Sequence, residues 1–343
     1  MRIVIAGGGM VGLALARHLQ RQGLVPLVLE RMPAGRYERR GYMLGHQGYD
    51  ALAEIDVLDG VRRAGWEIAP RPDGSSVAIG VEVGHVLRLL ETGLTVHHEH
   101  VVTDLVRDAT DRVVGVRVSG PGGDREEPCD LVAACDGVRS PVRAMAGLEA
   151  VVEPLGSGML HFLSPAAPEV PFAMRELSGE GFVGVFGWPE GSAGFLSTLP
   201  VGAEAALAPP LEKLRTTFAR LLPAAAPAVA AVTRREQVRY YEPELLSCPR
   251  WWRPGVVLVG DAAHFFGPET GGSSGIGLGD AQALARAVAA HPVDPDAACA
   301  TYVHWREPAV RPYEAVHPAR TRRWRPPAPA EQWPPAEPGP PEG

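Results

Sequence analysis

The chain has a single lysine, Lys213, four cysteines, and no stretch near the roughly 18 consecutive apolar residues that a membrane-spanning helix requires. Its 33 basic residues, nearly all arginine, are outnumbered by 40 acids, giving a formal net charge of -7. Without a basic stripe, a nucleic-acid surface is not expected. Cys129, Cys135, Cys248 and Cys299 form no Cys-x-x-Cys pair and have no zinc-ligand spacing. They predict free thiols and no metal centre. The N-terminal residues lack a basic segment followed by a long apolar one, so no secretory signal, no membrane partner and a cytoplasmic location are expected. The oligomeric state has no signature in the sequence. A hydrophobic fraction of 45% over 343 residues excludes a disordered chain and allows one large α/β unit or two domains sharing an interface.

Four short apolar runs each end in a glycine, an acid or both. They are Ile3–Ala6 before Gly7-Gly8-Gly9, Leu27–Leu29 before Glu30, Leu131–Ala134 before Asp136-Gly137, and Val256–Val259 before Gly260-Asp261. Runs rich in branched side chains read as buried parallel strands. Ligands of open α/β sheets bind beyond the carboxyl ends of such strands, so these glycines and acids predict one shared cofactor cleft.

Around the first run, Gly7, Gly9 and Gly12 make a G-x-G-x-x-G turn, and the helical stretch Leu13 to Gln22 is stopped by Gly23. Gly7 allows the tight turn, Gly9 lets the backbone approach a pyrophosphate, and Gly12 lets helix pack on strand. The helix start then offers free N–H groups to phosphate. Glu30 follows at about the twenty-residue spacing of an acid that binds a ribose. This turn does not distinguish NAD from FAD.

The second motif runs from Leu131 through Asp136-Gly137 to Ser140, which predicts a helix cap, with Pro141 at the first helical position. The third is Gly260-Asp261-Ala262-Ala263-His264, then Pro268, the run Gly271 to Gly275, and Asp280, which is expected to open an alanine-rich helix. A glycine run of this kind marks a loop that comes close to a ligand, and the helix start behind it would favour a negative ring edge or carbonyl.

In these three elements and their order the chain resembles the class A FAD-dependent aromatic hydroxylases of the p-hydroxybenzoate hydroxylase type. The resemblance implies an α/β fold, with a Rossmann-like FAD-binding domain carrying an inserted antiparallel β-sheet substrate domain. Gly7, Gly9 and Gly12 would hold the FAD pyrophosphate and Glu30 the adenosine ribose, with Arg31 near the adenine. Arg39 or Arg40 would reach the flavin side, and Arg88 would stand beside the cofactor. Asp136, with Gly137, would lie near the pyrophosphate and the path of the nicotinamide donor. Asp261, after Gly260, would bind the ribityl chain, and Pro268, Gly272, Ser274 and Gly275 would frame the flavin edge. The chain departs from the family's G-Q-G-x-N pattern in having Gly275 where asparagine is usual.

Convergence of the three motifs requires a discontinuous FAD-binding domain of residues 1–68, 85–155 and 248–318, with 69–84 and 156–247 as the substrate domain. Met159–Phe162, Phe172–Leu177, Phe182–Trp188 and Gly194–Leu199 read as strands of an antiparallel sheet, followed by helical stretches at Leu211–Leu222 and Ala224–Val232. His161, Met174, Arg175, Phe186 and Trp188 could face the pocket. Arg175 could clamp a substrate carboxylate or be a surface residue, and Trp188 could line the pocket or belong to an ordinary sheet core. His46, after the Gly41–Gly45 strand, is a candidate for a catalytic or substrate role, as Arg175 and Trp188 are, whereas His264 reads as structural. The proline-rich tail, 319–343, is expected to be disordered.

The resemblance implies a monooxygenase reduced by NADH or NADPH. It would use a flavin C4a-hydroperoxide to transfer one atom of dioxygen to an aromatic or polyketide-like small molecule. No residue presents itself as the base that a phenol would need. A flavin oxidase, dehydrogenase or cyclase on the same scaffold, or a non-catalytic Rossmann-like nucleotide-binding protein, is the alternative.

Overall fold

The computed structural model describes residues 1–37, 40–70, 76–179, 181–267, 273–321, 325 and 328–334. The chain opens with β1 (Ile3–Ala6), α1 (Met10–Arg21) and β2 (Leu27–Glu30), the strand–turn–helix–strand order that the glycine motif predicts. It continues through β3 (Gly41–Gly45), α2 (Tyr49–Glu54), α3 (Leu58–Ala64), β4 (Trp66–Pro70), β5 (Ser76–Glu82), α4 (Val83–Glu91) and β6 (Val96–His98). A meander of β7 (Val101–Arg107), β8 (Val113–Ser119) and β9 (Arg125–Pro128) leads to β10 (Leu131–Ala134) and α5 (Pro141–Met145). Next come β11 (Val151–Pro154), β12 (Gly158–Ser164), β13 (Phe172–Glu176), β14 (Phe182–Trp188) and β15 (Gly191–Thr198). Three helices follow, α6 (Ala203–Leu207), α7 (Leu211–Leu221) and α8 (Ala226–Ala230). The last elements are β16 (Val238–Tyr241), β17 (Glu244–Ser247), β18 (Trp252–Arg253), β19 (Val256–Leu258), β20 (His264–Phe265), α9 (Ser273–Ala290) and α10 (Pro295–Thr321).

The central sheet has the order β18-β19-β10-β1-β2-β6, parallel throughout except for the antiparallel β18. Its central strands β1, β10 and β19 are buried on both faces because α1, α4, α9 and α10 and the β7-β8-β9 meander cover the sheet, which is why they read as unbroken apolar runs. The carboxyl ends of β2, β1, β10 and β19 therefore lie side by side and carry Glu30, Gly7, Asp136 and Gly260-Asp261.

A second, antiparallel sheet has the order β13-β14-β15-β12-β16. Period-two alternation gives it two faces. Leu160, Phe162, Val183 and Val185 pack on the α7 and α8 residues Leu214, Phe218 and Val229, whereas Met159, Phe186, Trp188 and Phe195 form a separate cluster with Ile68 and Ala78. Those last two belong to the sheet β3-β5-β4, which joins the two cores. Its Leu44, Ile79 and Val81 face the central sheet, while Ile68 and Ala78 face the five-stranded one. The predicted boundary at 68/69 thus cuts through a sheet in which β5 pairs with β3 on one side and β4 on the other.

Two expectations need correction. Helix α9 begins at Ser273, so Asp280 lies in its interior, and it is wholly buried. The tail is not uniformly unpacked, because Trp333 is 1% exposed in the core under α6 and α7 and its indole N–H donates to Ala206 O at 2.7 Å. Composition predicts an unpacked tail, but one large aromatic side chain with a satisfied N–H is enough to dock it.

Among the described residues no helix is long and apolar enough to cross a membrane. The cysteines are all free, three of them buried.

Candidate functional site

The glycine turn between β1 and α1 is fixed by contacts that leave no room for side chains. A Cβ on Gly7, where φ is +109°, would lie 2.4 Å from Cys135 O, and one on Gly12 would lie 1.9 Å from Gly7 O. Nothing lies within 4 Å of a Cβ position on Gly9, the point where a phosphate would approach. Helix α1 has neither a side-chain cap nor an acid in its first turn, so its leading amides remain available to an anion. Glu30 anchors the turn from β2, with Oε2 accepting from Gly8 N at 2.7 Å and Oε1 from Met32 N at 2.7 Å.

The second motif abuts the first. Cys135 N donates to Ala6 O at 2.8 Å, and Ser140 caps α5 by accepting from Arg143 N at 2.9 Å. Asp136 Oδ2 accepts from Val142 N at 3.1 Å, while its Oδ1 is buried with no partner among the described residues. Burial raises the Asp136 pKa despite the opposing hydrogen bonds from Ser140 and Val142. Gly137, at φ +83°, leaves open space above it.

The third motif reaches both others. Val259 N donates to Ala134 O, and Arg143 Nη1 donates to Ala262 O at 2.8 Å. Gly260 takes φ +62°, and Cβ atoms on Gly260 and Gly277 would press on Val11 of α1 at 3.1 and 2.8 Å. Asp261, just past the end of β19, is half-buried and has no hydrogen bond among the described residues. Burial pushes its pKa up to about 6, against the pull of His264 and Arg40.

Beneath this turn lies a buried ionic network, only part of which is legible in the motif. Asp280 accepts from His264 Nε2 at 2.7 Å, from Gly260 N at 3.2 Å and from Arg306 Nε at 2.6 Å. Burial acts to raise the Asp280 pKa, but His264 and Arg306 outweigh it and hold the carboxyl below its ordinary range. Arg306 also donates to Ile276 O at 3.0 Å. His264 is structural, as its place in the motif suggests; no local pattern marks Arg306, which comes from α10.

The remaining predicted residues divide. The chain at Gly45, Gln47 and Gly48 packs against Gly275 at the start of α9, so His46 and Ser274 belong to the same region. Arg40 stands immediately before β3, and its charge acts on both Asp261 and His161 of β12, which links the strand ends to the inner face of the five-stranded sheet. Arg31 is exposed beyond Glu30. Arg88 lies on α4 over the Tyr37 ring, at 5.6 Å, and lines a groove with Arg63 and His85. Arg39, Pro268 and Gly272 lie outside the described residues.

Arg175 does not serve the pocket. Pairing with Val183 puts it on the helix-covered face, where it donates to Leu221 O at 3.0 Å and to Glu331 at 2.9 Å. Trp188 is on the inner face but only 2% exposed among Phe186, Ile68 and Ala78, which makes it a wall of the sheet core.

These residues fit an extended dinucleotide. There is an open phosphate cradle at Gly9, an acid at the end of β2, and two further acids, Asp136 with one buried carboxylate oxygen unpartnered and Asp261 with no hydrogen bond among the described residues.

Comparison with known proteins agrees with this reading. A family model described as FAD binding domain matches residues 81–315. The chain is 27% identical over 322 residues to 2-heptyl-3-hydroxy-4(1H)-quinolone synthase of Pseudomonas aeruginosa, covering 83% of this chain and 80% of that one. It is also 27% identical to 6-methylpretetramide 4-monooxygenase of Streptomyces rimosus over 323 residues, covering 85% and 74%. The crystal structure of a probable FAD-dependent monooxygenase from Pseudomonas aeruginosa superposes with a TM-score of 0.80 at 23% identity, covering 94% of this chain and 96% of that one, which shows the same fold.

Proposed function

The chain belongs to the FAD binding domain family, among the class A FAD-dependent monooxygenases, and we propose that it inserts one oxygen atom from dioxygen into a planar aromatic or polyketide-like molecule. NADH or NADPH would be the electron donor and would visit transiently, since the chain has a single dinucleotide turn. The observation that carries this reading is the convergence of Glu30, Asp136 and Asp261 at the ends of adjacent strands, with Arg40 connecting that trench to the inner face of the five-stranded sheet.

FAD, when bound, supplies the redox and oxygen chemistry. The protein's part is binding, orientation and exclusion of water. Gly7, Gly9, Gly12 and the α1 amides would hold the pyrophosphate, and Glu30 the adenosine ribose. Asp261 would accept hydrogen bonds from the ribityl chain, and the first amides of α9, around Ser274 and Gly275, would face the ring edge, where a helix start favours negative charge. The substrate would lie between the flavin and the sheet face bearing Met159, His161 and Phe195. That wall is apolar and aromatic, which suits fused rings and keeps water from the reacting atoms.

One relative is named for making a 2-heptyl-3-hydroxy-4(1H)-quinolone and another as a 6-methylpretetramide 4-monooxygenase, and the planar, aromatic quinolone ring supports that substrate class. The test is to purify the protein and record the flavin spectrum. NADH and NADPH oxidation is then followed with alkylquinolones and polycyclic phenols, and the products of reactions under labelled dioxygen are weighed. Coupled nucleotide oxidation and a product heavier by one labelled oxygen atom are expected. Flavin turnover without oxygen incorporation would place the protein with the oxidases, dehydrogenases or cyclases instead.

A further inference from the structure

The three interior strands of the five-stranded sheet, β14, β15 and β12, contain one ionisable side chain, His161. Alternation along β12 sends Leu160 and Phe162 to the helix-covered face and turns Met159, His161 and Leu163 to the inner one. His161 pairs across the ladder with Phe195 on one side and Arg239 on the other. It is part-exposed although its strand is interior, so the surface it shows is that of the cleft. Its ring has no hydrogen-bond or ion-pair partner among the described residues, none of which meets it with a carboxylate. The charged groups facing it are Arg40, before β3, and Arg239, on β16.

Burial lowers the His161 pKa to about 4, and Arg40 and then Arg239 act in the same direction. At neutral pH the imidazole is therefore uncharged and keeps one nitrogen lone pair as an acceptor. An unused acceptor in an apolar aromatic wall discriminates between ligands, because a ligand without a donor leaves it unpaired.

We propose that His161 is the substrate-binding acceptor of this pocket, taking a hydrogen bond from a phenolic O–H or a ring N–H of a planar aromatic substrate. The two guanidinium groups stabilise the negative charge that grows on the donor atom as its proton leans toward the ring nitrogen. Electron density then rises at the carbons ortho and para to the donor, the positions open to electrophilic oxygenation. The donor-bearing end of the substrate is thereby set against His161 on β12 and the aromatic end toward Phe195, its cross-strand neighbour. This inference rests on the flavin monooxygenase reading and goes beyond it by naming the group that selects the substrate.

The FAD-loaded enzyme is titrated with 2-naphthol and with 2-methoxynaphthalene, which share a ring system and differ in the donor, and flavin absorbance is followed. Wild-type protein is expected to bind the naphthol about tenfold more tightly than its methyl ether. His161→Phe should bring that ratio near one with flavin content and thermal midpoint unchanged, and His161→Asn, which restores an acceptor, should recover part of it. Equal binding of both probes by wild type, or undiminished discrimination in His161→Phe, would overturn the proposal. Failure of both probes to perturb bound flavin would also overturn it while leaving the cofactor assignment standing, whereas a chain that takes up no FAD removes the functional reading itself.

Discussion

The Glu30 carboxylate holds the Gly8 amide at 2.7 Å, so the acid at the end of β2 organises the glycine turn at the end of β1. A Cβ on Gly8 would lie 2.9 Å from the Glu30 Cβ, which makes the pair mutually dependent. The same carboxylate has remaining lone pairs for ribose hydroxyls. Glu30→Ala should therefore weaken FAD binding by loosening the turn and by removing an acceptor. Losing one charge-assisted hydrogen bond costs about 1.5–3 kcal/mol, so roughly a ten- to hundredfold rise in the dissociation constant is expected in a fluorescence titration. Unchanged affinity would remove Glu30 from the site.

Asp261 makes cofactor binding sensitive to pH. Without ligand its pKa is about 6, raised by burial. A hydroxyl donating to the carboxylate favours the charged form, so binding lowers the pKa and affinity should fall as pH drops below about 6. Asp261→Asn should flatten that dependence. Stability of the ligand-free protein moves the other way. A carboxyl whose folded pKa is raised contributes stability below its unfolded pKa, near 4, and loses it as pH rises through about 6. Denaturant titrations of wild type and Asp261→Asn across that window read this contribution directly.

Arg306 and Asp280 form a buried ion pair whose removal from one side should be costly. Arg306→Met leaves a wholly buried carboxylate with His264 and Gly260 as its hydrogen-bonding neighbours. Breaking such a pair costs about 3–5 kcal/mol. A lowered thermal midpoint and weaker FAD retention are expected together, because the Gly260-Asp261 turn hangs from Asp280. A stable variant with full flavin content would show the network to be dispensable.

The tail should contribute to the stability of the substrate side. Trp333→Ala empties a buried indole site and breaks the bond to Ala206, a truncation of the kind that costs about 3–5 kcal/mol. Loss of the tail also frees Arg175 from Glu331. Calorimetry on the variant should show earlier unfolding with FAD affinity little changed, since the tail touches the outer face of the sheet.

The sequence by itself determined the strand–turn–helix frame at the ends of the central strands. Gly7, Gly12, Glu30, Asp136 and Asp261 are legible there because local chemistry places them: a φ only glycine tolerates, a backbone packed so closely that an added Cβ would lie 1.9–2.4 Å from a carbonyl oxygen, an acid at the end of an apolar strand. The tertiary structure decided what depends on register and long-range packing. A strand shows both of its faces to a sequence reader alike, so only the pairing of Arg175 with Val183 could put it on the helix-covered face of the sheet, and only the alternation along β12 could put His161 on the inner one. Arg306 and Trp333 carry no local signal either. Their partners, Asp280 and Ala206, lie 26 and 127 residues away, and burial beside those partners gives each its role.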